Sequence, residues 1–196
     1  RSNKATRFKK DVWSIVSNFG GNDVCVLSNA GTVAGVYPVN DFRSRMNSGR
    51  FVSNQETLVP TMLKSILSNL NYNDGQCAIL ISDMKYSPVS QQDVQVLLTQ
   101  YQTDIRNVIG QYPGLAVSLV MAKSDFLAAN GTRIENNSPY YFLILGKDQN
   151  VAFMRNCIAT ILEDNASYGD CIESGFDYKA PAYSFGIPDN ALQLFD

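Results

Sequence analysis

The chain has 196 residues, 45% of them hydrophobic and 17% charged, and sixteen basic against eighteen acidic side chains leave a formal charge of −2. That is the balance of an ordinary globular domain, with no basic footprint for nucleic acid and no apolar run near the roughly 20 residues of a membrane helix. The absence of histidine excludes Ser-His-Asp and Cys-His catalysis and removes the commonest zinc ligand.

Phe8, Val12, Ile15, Val16 and Phe19 recur at helical spacing and stop at Gly20-Gly21, which predicts an amphipathic helix over 7–19. The basic residues at its start, Arg7, Lys9 and Lys10, read as a solvated face beside the apolar stripe. Asp23–Ser28 reads as a short strand, Asn29-Ala30-Gly31 as a turn, and Thr32–Val39 as a second strand. Residues 40–56 are polar and irregular, with Phe42, Met46 and Phe51 as anchors. Pro60 suits the first turn of a helix that buries Met62, Leu63, Ile66, Leu67 and Leu70.

Ala78-Ile79-Leu80-Ile81 centres an apolar strand over 76–82, and so unbroken a run is expected where helices cover both faces of a parallel sheet. Ser90 with Asp93 resembles a capping box, ahead of a stripe from Val94 that ends at Gly110. Leu115–Met121 and Tyr140–Leu145 are further buried strands, and Val151–Leu162 a further helix. Such alternation predicts a three-layer α/β/α sandwich around a mostly parallel, doubly wound sheet. The domain is expected over 1–165, with 166–196 an irregular tail or a linker to a neighbouring domain. A first residue other than Met fits a piece of a longer protein.

Cys25 and Cys77 fall in strand candidates and read as small core residues, while Cys157 and Cys171 could bridge in an oxidising compartment. Ligands of open α/β sheets bind beyond the carboxyl ends of the strands. That rule nominates Ser28-Asn29, Ser82-Asp83 and Lys123-Ser124-Asp125, with Asp83 foremost because it directly follows the apolar run. Gly31-Thr-Val-Ala-Gly35 lacks dinucleotide-loop spacing, and neither a phosphate-binding P-loop nor a nucleophile elbow occurs. Three Asn-x-Ser/Thr sequons begin at Asn130, Asn136 and Asn165.

From Phe8 to about Leu145 the element order resembles a von Willebrand factor A-type domain. The matching features are the first helix, the hairpin-like pair Val24–Ser28 and Thr32–Tyr37, the Glu56-Thr57-Leu58 loop and the strand ending in Ser82-Asp83. The later stretch from Ser124 to Gly146 is similar to such regions in bacterial surface or cytoplasmic proteins. The resemblance implies a metal-ion-dependent adhesion site holding Mg²⁺ or another divalent cation, with Thr57 and Asp83 as ligands. Ser2 would be the last serine of the family's D-x-S-x-S motif, whose first strand and acidic residue are not in this chain. Met84 stands where the family has glycine.

The expected function is therefore a non-catalytic, protein-binding domain that recognises its partner at loops beyond the strand ends, with an optional divalent cation. Two alternatives stand beside it. One is a structural module of a larger assembly, docking through Phe176, Tyr178, Tyr183 and Phe185; the other is a metal-dependent hydrolase or phosphotransfer enzyme using Asp83 and Asp125.

Overall fold

A computed structural model describes residues 5–19, 21, 23–28, 31–51, 57–84, 94–128 and 130–176. Helix α1 spans Arg7–Phe19 and turns Val12, Ile15 and Val16 inward, as its spacing predicts. Thr6 caps it, accepting a hydrogen bond from Lys9 N at 3.3 Å. Strands β1 (Asp23–Leu27) and β2 (Val33–Pro38) form an antiparallel hairpin. The chain then enters α2 (Val39–Asn47), which buries Phe42 and Met46, so two of the three residues expected as irregular anchors sit on a helix.

Helix α3 (Val59–Leu67) carries Pro60 in its first turn. Strand β3 (Ala78–Ser82), α4 (Val94–Gly110), β4 (Ala116–Leu127), β5 (Arg133–Gly146), α5 (Asp148–Asp164) and β6 (Tyr168–Ser174) complete the order. The residues expected as an irregular tail thus supply a strand of the main sheet, and 177–196 lie outside the described residues.

The expected parallel, doubly wound sheet is overturned. The described strands make a two-stranded sheet, β1-β2, and a four-stranded sheet in the order β3-β5-β4-β6, with every neighbouring pair antiparallel. Strands joined through a helix run the same way without being neighbours. β3 and β4, linked through α4, run the same way, but β5 lies between them. β5 and β6, linked through α5, likewise run the same way across β4.

The cause is the β4–β5 hairpin, which spans residues expected to be loop. Its turn has a local signal, Asn130-Gly131, with Gly131 at φ +80°. Ala128 N donates to Thr132 O at 2.8 Å, and Gly131 N to Ala128 O at 2.9 Å. The β1–β2 turn repeats this pattern: Ser28 N bonds Thr32 O at 2.8 Å, Gly31 N bonds Ser28 O at 3.0 Å, and Gly31 has φ +74°. A strand run that is apolar on both sides therefore reports two covered faces, and antiparallel sheets between helices meet that condition too.

Helices cover both faces, but unequally. On one face α1 and α5 bury Ala116, Val120, Ala122, Tyr140, Phe142 and Ile144 beneath Ile15, Val151, Ile158 and Leu162. On the other, the core formed with α3 joins Val59, Met62, Leu63 and Leu67 to Leu80, Val117, Leu143 and Leu145, with Tyr101 and Ile105 of α4 alongside. Among the described residues that second layer covers only one end of the sheet face. The bare end holds the candidate site.

Candidate functional site

The open end of the face forms a groove of about 660 Å³. Leu119 and Met121 of β4, Tyr141 of β5 and Ile172 of β6 lie in or beside its floor. Near the hairpin end, ladder irregularities between Ser124 and Leu127 accompany Phe126 and Glu135 as lining residues. Ile172 is 69% exposed and Phe126 42%, unusual for large apolar side chains on the face of a central sheet. Asp83, Glu135 and Asp170 supply three carboxylates, and among the described residues the lining holds no basic side chain.

Asp83 sits one residue beyond β3. Thr57 Oγ1 donates to its Oδ1 at 3.5 Å, so the fold brings these two predicted residues together. Tyr101 of α4 fixes the Thr57 side of the pair. Its hydroxyl donates to Thr57 O at 3.0 Å and accepts from Val59 N at 3.1 Å, satisfying an orphan donor at the start of α3. Met84 N donates to Ser82 Oγ at 3.0 Å. Met84 has φ +49°, a left-handed conformation costing a non-glycine residue on the order of 1 kcal/mol. Glycine would be at ease at this position.

The remaining predicted ligands do not join this pair. Ser2 lies outside the described residues. Asp125 lines a separate cavity of about 670 Å³ with Arg7, Lys10 and Arg133, and ion-pairs with Arg133 at 2.9 Å. Arg7 approaches the same carboxylate at 3.9 Å. Asp83 and Asp125 therefore do not line one cavity, as a shared metal would require. Among the described residues, no group of three or more Cys, Asp or Glu side chains could hold a metal ion. Two oxygens from Thr57 and Asp83 fall well short of the six that Mg²⁺ takes.

One polar cluster was not anticipated. Asp11 is fully buried on α1, where the helical stripe alone would call for an apolar residue. Its carboxylate accepts from the Tyr140 hydroxyl and, at 2.5 Å, from Asn165 Nδ2. Burial, reinforced by the Asp11 carboxylate, drives the Tyr140 phenol far above its ordinary range. Phe8 packs edge-on against Tyr140 with ring centroids 5.0 Å apart. The saturated cluster ties α1, β5 and the end of α5 together, and it occupies the sequon asparagine Asn165.

Cys157 and Cys171 are free thiols, as are Cys25 and Cys77. Burial pushes the Cys77 thiol up to about 11 despite a backbone hydrogen bond at Leu145, and it also raises Cys171. Neither is poised as a nucleophile. Among the described residues no helix is long and apolar enough to cross a membrane. In comparisons with known proteins, no family model, curated protein or solved structure matches the chain.

Proposed function

We propose that this chain is a non-catalytic, protein-binding domain whose recognition surface is the open groove on the β4–β5–β6 sheet face. The observation that carries this reading is the apolar lining of Leu119, Met121, Tyr141 and Ile172, which α3 and α4 leave partly uncovered among the described residues and which Asp83, Glu135 and Asp170 border. Apolar surface inside a polar rim is the usual anatomy of a protein–protein contact. The Thr57–Asp83 pair gives the surface a polar end. The likeness to von Willebrand A-type domains enters the proposal only there, and a divalent cation is an optional part of it.

The test is comparative capture from a cell extract with three immobilised proteins: the wild type, Ile172→Asp in the groove and Val36→Asp on the hairpin. Val36 is 55% exposed and outside the groove, so it controls for added surface charge. A protein retained by wild type and Val36→Asp but lost with Ile172→Asp is the expected result. Equal retention by all three sinks the groove. The optional ion has its own test: a melting temperature raised by Mg²⁺ or Mn²⁺ in the wild type and not in Asp83→Ala adds it to the surface. No shift removes the ion and leaves an apolar surface.

A further inference from the structure

Where the start of α1 meets the β4–β5 hairpin, the cavity of about 670 Å³ has a character opposite to that of the groove. Its charged lining is Arg7 and Lys10 of α1, Asp125 of β4 and Arg133 of β5. Three cations against one carboxylate leave an excess of two positive charges, in a chain whose formal charge is −2. Leu127 and Ala5 add an apolar wall. The cavity and the groove share no lining residue, so either assignment can fail without the other.

The cations are held in place without being neutralised. Arg7 Nη1 donates to Ala166 O at 3.0 Å and Nη2 to Asn137 Oδ1 at 2.6 Å, two uncharged acceptors that fix the guanidinium and leave its charge. Both acceptors stand on left-handed backbone, Asn137 at φ +52° and Ala166 at φ +53°. Of the three non-glycine residues with positive φ among the described residues, two therefore hold Arg7. That conformation costs an alanine on the order of 1 kcal/mol, and such strain gathers where a group must be positioned. Asp125 pairs with Arg133 at 2.9 Å and lies 3.9 Å from Arg7, so one carboxylate serves two guanidinium groups. Lys10 pairs with no acid among the described residues. The end of α1 is not itself the attraction. Phe8 N already donates to Ser124 Oγ at 3.0 Å, and Lys9 N to Thr6 Oγ1 at 3.3 Å.

We propose that this cavity binds a small phosphate monoester, with Arg7, Lys10 and Arg133 on the phosphate and Leu127 and Ala5 against the esterified group. The charge selects the ligand. A phosphate monoester carries close to two negative charges at pH 7, which matches the excess of the lining. Guanidinium groups suit phosphate oxygens through paired N–H donors, and an ammonium adds a point charge. Arg133 has five donors, so its contact with Asp125 leaves others for the ligand. The volume lies within the range of about 300–1,000 Å³ typical of small-molecule sites, which leaves room for a body beside the phosphate. The adjoining chain does not supply the anion, because Arg1-Ser2-Asn3-Lys4, ahead of Ala5, brings two more cations and no acidic side chain.

The experiment is an NMR titration of the full chain with phenyl phosphate, phenyl sulfate and inorganic phosphate, following backbone amides. Phenyl sulfate has the same shape with a single charge. The expected result is a saturable shift of Thr6, Lys10, Gly131 and Arg133 with phenyl phosphate, and affinity about tenfold or more weaker for phenyl sulfate. Lys10→Gln and Arg133→Gln change exposed residues, so the fold is kept, and each should weaken phenyl phosphate by about tenfold. Lys123→Gln, exposed and outside the cavity, should not. No saturable shift, shifts that map elsewhere, equal affinity for the sulfate, or full affinity in both cavity variants overturns the proposal. Inorganic phosphate as tight as the ester also overturns it and assigns the site to the free ion. So does ester binding that appears only when Asp177→Asn, Asp189→Asn and Asp196→Asn are combined, which would give the cavity to the chain's own acids.

Discussion

β3 and β6 occupy equivalent places, the two outer strands of one antiparallel sheet, and their chemistry is opposite. β6 alternates in burial along its length, exposes Asp170 and is bulged at Gly169, so it can border solvent. β3 is the kind of strand that belongs inside a sheet, yet only Leu80 among its residues is buried. Paired edges and covered faces are thus separate properties. An apolar run speaks to the second and is silent on the first, which is why β3 can carry one and still stand at an edge.

Several substitutions sharpen or break that contrast. The largest effect is expected at the sheet centre. Phe142, on β5 between β3 and β4, has no exposed surface, and Phe142→Ala should cost about 3–5 kcal/mol in urea unfolding. Ile79→Ala on half-buried β3 removes a side chain with water already at hand and should cost about 1–2 kcal/mol. Equal costs would mean that β3 is as enclosed as β5.

Next in size is the buried cluster. Asp11→Ala strips the Tyr140 hydroxyl and Asn165 of their shared acceptor and should cost about 1–3 kcal/mol. The pH dependence has a definite sign. The folded Tyr140 phenol titrates above its unfolded value of about 10, so its stabilising contribution is complete below pH 10 and is lost as pH rises beyond it. Urea midpoints measured from pH 9 to 11 should fall in the wild type and fall less in Tyr140→Phe. Parallel curves would show that the phenol is not held by burial.

Gly169 tests the protected edge. A Cβ there would meet Met121 Cε at 2.7 Å and Met121 O at 3.1 Å; the methyl can swing aside but the carbonyl cannot. Gly169→Ala should therefore cost about 1 kcal/mol. Smallest is a difference in reactivity between β1 and the approach to β3. Cys25 on β1 is exposed, whereas the Cys77 thiol, just ahead of β3, is raised to about 11. At pH 8 a disulfide reagent should modify Cys25 first, and faster modification of Cys77 would contradict the burial assigned to it.

Much of the local structure was legible. The stripes of α1, α3 and α5 and the apolar centres of β3, β4 and β5 follow from side-chain period, which burial imposes directly. α2 was missed because its apolar anchors, Phe42 and Met46, stand in a polar segment and make contact only through neighbours distant in sequence. β6 was missed because its alternation is carried by Gly169, Cys171 and Glu173, which do not read as a hydrophobic face. Strand order was misjudged although Asn130-Gly131 signalled a hairpin, since the polar residues on either side of it masked two long strands. Thr57 and Asp83 lie within hydrogen-bond reach of each other, while the groove beside them is assembled from β4, β5 and β6 and has no linear signature.

The most direct test of the sheet's order, and of its β3 edge, is a map of cross-strand Hα–Hα NOEs in the free protein. Antiparallel neighbours bring alternate opposite residues to a Cα separation of about 4.5 Å, close enough for strong signals. The account predicts such contacts between Ala78–Ser82 and Tyr141–Leu145 and between Val117–Met121 and Tyr141–Leu145, with none from Asp23–Leu27 to Ala78–Ser82. Backbone contacts placing β3 directly beside β4 as a parallel neighbour, or β1 directly beside β3, would contradict it.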